Sequence, residues 1–295
     1  MYDIERLYEA NTVREAIDYL ERDKDALIIA GGSDVLIKIR SGKLAGCSLV
    51  SIHGIDELRG VKELPDKTIS IGALTSFSHV ANDPVIKRHI PILAHAVEQV
   101  GGPQIRNIGT IGGNVSNGVT SADSAATLLA LDAKLVIEGP DGERIVSAEE
   151  NYVSAGKVAY GHSDVLKYIL ISPEAYENHF GHYIKYSMRK AMDIATLGCA
   201  AVVELSRDKK TIVDAKLAYG VAAPIPTRCR EAEKAIIGKE VCAETIRLFA
   251  SEATKCVSPR TSWRASSHFR LYLVEELAAR AMTKSIELAG GELNG

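Results

Sequence analysis

Residues 101–123 read GGPQIRNIGTIGGNVSNGVTSAD, with glycines at 101, 102, 109, 112, 113 and 118 set among Gln, Asn, Ser and Thr. Glycine buries no side chain and loses more backbone entropy on ordering than any other residue, so such a segment cannot build a core of its own. Two readings follow: a flexible surface loop, or a cradle whose bare backbone N–H groups approach an anionic ligand. The next residues favour the cradle, because SAATLLALDAKLVIEG has a helix-then-strand pattern that holds the exit of the stretch. Asp123 at the head of that helix fits an N-cap or a ligand contact, and the two are compatible.

A second glycine turn lies far upstream. The apolar run ALIIA, residues 26–30, is fit for a buried strand and leads into Gly31-Gly32-Ser33-Asp34, followed by VLIKIR. Taken alone this is equally well a plain turn. Its spacing is neither G-x-G-x-x-G nor G-x-x-x-x-G-K-[ST], which disfavours both the dehydrogenase dinucleotide fold and the P-loop. Two glycine turns, each fed by an apolar strand, imply one long ligand whose diphosphate is gripped from two sides.

The 295 residues are 46% hydrophobic and 25% charged with a formal net charge of −3, an ordinary globular profile long enough for two domains. Near-neutral charge and the lack of a cationic stripe interleaved with aromatics argue against nucleic acid. No apolar run is long enough to span a bilayer, and the charged start MYDIERLYEANTV is unlike a secretory signal, so a cytoplasmic protein is expected. Five scattered cysteines, never in a C-x-x-C pair, read as reduced thiols and argue against a local zinc or iron–sulfur site. His53 and His79 stand singly and read as ordinary hydrogen-bonded histidines.

Along the chain, Thr12 and Glu15 form a capping box for a helix over 12–20. Strands are expected at the start of 49–59 and over 68–73, Thr75 as the cap of a short helix, and one helix over 84–100. Gly139-Pro140-Asp141-Gly142 separates the strands of a hairpin, and a further strand spans 165–171. The composition shifts at Ser172-Pro173-Glu174, taken as the domain boundary. Beyond it come strands near 183–187, 199–206 and 211–223, then helices over 229–237, 243–254 and 267–288. Nucleophilic catalysis has little support: Ser33 and Ser121 lie outside any G-x-S-x-G, and Asp34 and Asp123 each have a local explanation.

Ala30-Gly31-Gly32-Ser33-Asp34, Gln104-Ile105-Arg106-Asn107 running into Thr110-Ile111-Gly112-Gly113-Asn114, and Ser121-Ala122-Asp123 together resemble the FAD-binding subunit of the molybdenum hydroxylases, the xanthine dehydrogenase and carbon monoxide dehydrogenase type enzymes. The likeness continues through MRKAMDIATLGCAA, GVAAPIPTRCREAE and SPRTSWRASSHFR, and so covers nearly the whole chain. It implies an α+β flavoprotein with a two-lobed FAD-binding domain of the PCMH (vanillyl-alcohol oxidase-like) type over residues 1–172, lobes dividing near 53. An α/β C-terminal domain of the CO dehydrogenase flavoprotein type would cover 173–295.

By the same resemblance, Ile29, Ala30, Gly31, Gly32, Ser33, Asp34, Val35 and Leu36 would wrap the FAD diphosphate, with backbone amides and the Ser33 hydroxyl. Gly101 would lie near the flavin, and Thr110, Ile111, Gly112, Gly113 and Asn114 would form the second grip. Asp123 would hold ribityl or adenosine hydroxyls, Leu166 or Ile169 would line the adenine pocket, and Lys185 would approach the isoalloxazine. The family's chemistry implies a molybdopterin subunit that hydroxylates an N-heterocycle such as a purine or nicotinate. A partner with two [2Fe–2S] clusters would relay electrons to non-covalent FAD here, and NAD or NADP would accept them. A dimer of the heteromer is the implied assembly. An autonomous FAD oxidase and a non-redox nucleotide-binding subunit are the alternatives.

Overall fold

In a computed structural model, which describes residues 2–293, these residues form three larger sheets and one two-stranded ribbon, with helices between and around them. The first lobe runs β1 (Ile4–Glu9), α1 (Val13–Arg22), β2 (Leu27–Ile29), α2 (Val35–Arg40) and β3 (Cys47–Ser51), with a parallel sheet in the order β1-β3-β2. The capping box holds: Thr12 Oγ1 accepts from the Glu15 amide at 3.1 Å, while Glu15 reaches back to the Asn11 amide at 2.8 Å. Val13, Ala16, Ile17 and Leu20 face inward from α1 at helical spacing and meet Val50 and Ile52. VLIKIR is helical rather than extended, with only Ile39 fully buried.

The second lobe contains β4 (Val61–Glu63), β5 (Ile69–Gly72), α3 (Phe77–Asn82), α4 (Pro84–His89), α5 (Pro91–Glu98), α6 (Pro103–Ile108), α7 (Ile111–Ser116) and α8 (Asp123–Ala130). It continues with β6 (Lys134–Gly139), β7 (Gly142–Ser147), the ribbon β8 (Tyr152–Ser154) and β9 (Lys157–Val158), and β10 (Val165–Ile171). Its sheet is antiparallel, in the order β4-β5-β10-β6-β7. The expected hairpin is β6–β7, paired from Lys134–Ser147 to Gly139–Gly142.

Several local expectations are corrected here. The helix over 84–100 is two helices, because Pro91 has no N–H to continue the first and Ile90 leaves helical geometry at φ −134°. Asp83 caps the first of them, accepting from Val85 at 2.9 Å. Ser76, not Thr75, caps α3; Thr75 Oγ1 instead accepts from the Gly60 amide at 2.9 Å and ties the helix start to β4. The stretch 101–123 is not a loop fed by a strand, since it follows α5 and itself winds into α6 and α7.

The C-terminal part runs β11 (His179–Tyr186), β12 (Leu197–Leu205), β13 (Ile212–Gly220), β14 (Thr227–Arg228), α9 (Arg230–Ile236), α10 (Ala243–Ala253) and α11 (Ser267–Leu288). Its four strands are antiparallel in chain order. β12 is apolar throughout because both of its faces are covered. Leu197, Cys199, Ala201 and Val203 point into the core made by α9–α11, whereas Ala200 and Val202 join the core of α5 and α8. The second lobe and the C-terminal sheet therefore share a continuous interior. Arg228, buried in that junction, donates to Asp132 at 2.6 Å and to the Leu129 carbonyl at 2.8 Å, and pairs with Glu233.

Candidate functional site

The two glycine turns meet. A Cβ placed on Gly31 would lie 1.9 Å from the Ile108 carbonyl oxygen and 3.2 Å from Gly109 Cα, so the strand-to-helix turn rests on the bare backbone between α6 and α7. Only glycine allows that approach. Gly32 completes the turn at φ +69°. Lys38 links the same elements one turn later: its Nζ lies 2.5 Å from Asp34 and 3.3 Å from Asn117 Oδ1 at the end of α7.

The first turn has unused donors. The amides of Gly31, Gly32, Ser33 and Asp34 reach no acceptor among the described residues, and α2 starts without a side-chain cap. Every residue from Ile29 to Leu36 is half-buried, including the apolar Ile29, Val35 and Leu36. A run of eight half-buried residues, four of them with orphan amides, suits a surface that a ligand covers.

The second turn behaves differently from the bare-amide reading. Ile111 donates to the Thr75 carbonyl at 3.0 Å, Gly112 to the Ala73 carbonyl at 2.9 Å, Gly113 to Thr110 Oγ1 at 3.1 Å and Asn114 to the Thr110 carbonyl at 3.0 Å. These amides are spent on folding. A Gly112 Cβ would sit 2.5 Å from Ala73 Cβ, so that glycine serves close packing. What the turn offers outward is exposed Gly113 and half-buried Asn114, whose Oδ1 accepts from Ser124 at 2.7 Å and whose NH2 has no acceptor among the described residues.

Asp123 is not the N-cap of α8; that place belongs to Ala122, and the Asp123 carboxylate points elsewhere. Its Oδ1 accepts from the Tyr183 hydroxyl at 3.0 Å and its Oδ2 from Lys185 Nζ at 2.7 Å. Lys185 also donates to the Gln99 carbonyl at 2.9 Å, next to Gly101 at φ +49°. Both side chains of the pair are under a tenth exposed. Burial raises the Asp123 carboxyl above its usual range, with Lys185 and then Tyr183 pulling against it. Burial, followed by the neighbouring carboxylate, drives the Tyr183 phenol far up, so it stays a donor. Lys185 also borders a cavity of about 420 Å³ under the 187–193 loop.

Leu166 and Ile169 both face the core of the second lobe, because a bulge between Leu166 and Tyr168 resets the alternation of β10. Ile169 has no exposed surface and offers a ligand nothing, which leaves Leu166, at 5%, as the member of that pair nearest to accessibility. Tyr183 escaped the sequence reading. So did Arg106, which donates to the Val100 carbonyl at 3.0 Å and fixes the entry to the glycine stretch. The GGPQIR spacing placed Arg106 one turn after Gly102 and was the available signal.

The fit to a dinucleotide is favourable on these observations: orphan amides at one turn, a carbonyl-to-glycine contact that no Cβ could share, and a buried ammonium beyond. Comparison with known proteins agrees. Residues 2–173 match the family described as the FAD binding domain in molybdopterin dehydrogenase, and residues 182–285 match the CO dehydrogenase flavoprotein C-terminal domain. An Escherichia coli xanthine dehydrogenase FAD-binding subunit is 38% identical over 99% of this chain and 100% of its own length. The nicotinate dehydrogenase FAD-subunit of Eubacterium barkeri is 30% identical over 83% of each chain. Among solved structures, a chain of carbon monoxide dehydrogenase from Hydrogenophaga pseudoflava superposes with a TM-score of 0.92 at 27% identity, covering 98% of this chain and 99% of that one. The chain thus belongs to the FAD-binding medium subunits of the molybdenum hydroxylase family.

Proposed function

We propose that this chain binds one non-covalent FAD in the cleft between the two glycine turns and passes electrons within a heteromeric dehydrogenase that oxidises an N-heterocycle. Molybdopterin and [2Fe–2S] clusters would reside in partner subunits, and NAD or NADP would accept the electrons. The observation carrying this reading is the seating of Gly31 on the Ile108 carbonyl beside four amides without partners.

In this reading Gly31, Gly32, Ser33 and Asp34 donate to the diphosphate, and the N-terminal end of α2 adds a favourable field. Asn114 supplies a side-chain donor from the opposite wall. Lys185, held by Asp123 and the Gln99 carbonyl, places an ammonium donor close to Gly101 that would face the ring of a bound FAD. Asp123 then acts chiefly by holding Lys185. When bound, FAD supplies the conversion between single electrons and a hydride. No side chain of this chain is required as acid or base toward the substrate. The xanthine and nicotinate names of the relatives support a heterocyclic substrate for the complex.

Denaturing the purified subunit should release FAD in a ratio near one per chain, and anaerobic NADH or NADPH should bleach its flavin absorbance. A chain with no releasable flavin refutes the cofactor reading. Holo-protein indifferent to both nucleotides refutes the acceptor. Assay of the co-purified complex for molybdenum and iron tests the partners.

A further inference from the structure

The surface next to the Lys185 cavity is unusual for an isolated protein. Tyr186 packs edge-on against Phe269 at 5.9 Å between ring centres, and Phe269 stacks on Tyr272 at 6.3 Å. These rings are 38–58% exposed, and Trp263, the chain's one tryptophan, is 79% exposed. Met188, Met192 and Ile194 extend the apolar area along the loop that follows β11. Met192 donates its amide to the Gly101 carbonyl at 3.3 Å, so this surface adjoins the candidate cofactor cleft.

One residue fastens its parts. Arg270 on α11 is 2% exposed and donates to the Thr196 carbonyl at 3.2 Å and to Ser262 Oγ at 2.8 Å, and it bonds the Arg260 carbonyl as well. Thr196 in turn donates to the Tyr186 carbonyl at 2.8 Å, closing the loop against β11. Among the described residues Arg270 has no carboxylate partner, and its charged neighbours are Arg260 and Arg264. Arg264 lies over the Trp263 ring at 4.1 Å, and its Nε is buried with no partner. Segments 186–194 and 258–272 contain five cations, Arg189, Lys190, Arg260, Arg264 and Arg270, against one acid, Asp193, which already bonds Arg189. Among the described residues no carboxylate pairs with Lys190, Arg260 or Arg264, none of which is buried, so an anionic group brought from outside meets free cations there.

We propose that this aromatic and cationic face is where an acidic partner subunit of the same complex docks. Trp, Tyr, Met and Arg are the residues that dominate interface centres, whereas small-molecule sites are concave. Adjacency to the 187–193 loop would bring that partner beside the flavin edge of the cleft. The inference rests on the heteromeric reading above, and its test separates the two.

The test is the intact complex carrying Trp263→Ala with Arg264→Glu, beside Ile145→Ala on the remote strand β7. Association of the flavin subunit is read by sedimentation, and Trp263 is mapped by N-bromosuccinimide oxidation and peptide mass analysis. The double variant should weaken association by roughly thirty-fold or more, as removal of a central Trp–Arg pair does. Its flavin content should be unchanged, and oxidation of Trp263 should be blocked only in the wild-type complex. Arg264→Lys, which keeps the charge, should recover part of the association. Unaltered assembly of the double variant overturns the inference while leaving the flavin reading intact. So does burial of Trp263 by self-association of the isolated chain, or loss of NADH turnover with assembly untouched. Absence of flavin from the wild type would instead sink the functional reading.

Discussion

Replacing Gly31 with alanine probes the tightest glycine contact among the described residues. The added methyl would start 1.9 Å from the Ile108 oxygen and 2.7 Å from its carbon, whereas side-chain carbons essentially never come within 3.0 Å of such atoms. The turn must retreat from α6 by at least about 1.1 Å, the difference between those limits. Overpacking of this kind costs about 1–3 kcal/mol of stability. The larger effect falls on the ligand. A shift of that size lengthens hydrogen bonds from two or more turn amides to a charged diphosphate, each worth roughly 1.5–3 kcal/mol. FAD affinity should then fall by about two to four orders of magnitude. Flavin fluorescence on dilution gives the dissociation constant, and thermal melting with saturating FAD gives the fold's own loss. Gly54→Ala is the control, since its methyl would meet only Ala10 O at 3.4 Å and Asn11 Oδ1 at 3.6 Å. A folded Gly31→Ala protein that holds FAD as tightly as the Gly54→Ala control would refute the reasoning.

Three further outcomes are expected. Asp123→Ala leaves Lys185 buried without its counter-charge and should cost about 3–5 kcal/mol by chemical denaturation, with Lys185→Met partly recovering the loss in the double variant. For Asp132 and Asp214, burial works upward, but Arg228 with Lys216, and His179 with Lys216, outweigh it and hold both carboxyls below the usual range. A folded-state pKa below the unfolded one gives stability that is complete above about pH 4 and drains away as pH falls through the folded values. Denaturant midpoints at pH 7, 4.5 and 3 should show it, with Asp132→Asn flattening the acid limb. The Cys256 thiol, hydrogen-bonded by Cys229, is lowered to about 6, while Cys229 moves up. Iodoacetamide at pH 7 should therefore label Cys256 first, and equal labelling of all five cysteines would contradict this.

Much of the architecture was legible because it is written locally. The β6–β7 hairpin announces itself by Gly-Pro-Asp-Gly, α1 by its capping box, and β12 by an apolar run that only a doubly covered strand sustains. β1 was not visible: IERLYE is half charged and mostly exposed, and its place is set by pairing with β3 across more than forty residues, Leu7 opposite Leu49. The site divides the same way. That Gly31-Gly32-Ser33-Asp34 turns sharply follows from its composition; that it rests on Ile108 does not, since a backbone-to-backbone contact leaves no side-chain pattern. The spending of the amides of 111–114 on Thr75, Ala73 and Thr110 is likewise a tertiary fact. Asp123 reads as a cap in any local analysis, and its true partners stand 60 and 62 residues downstream.

The central claim is that one dinucleotide lies between the turn at 31–34 and the stretch at 101–123. A crystal structure of the purified, yellow subunit tests it most directly. The account predicts diphosphate oxygens within hydrogen-bonding distance of the Gly31–Asp34 amides, with the isoalloxazine toward Gly101 and Lys185. A flavin seated elsewhere, or a diphosphate touching neither turn, would contradict it.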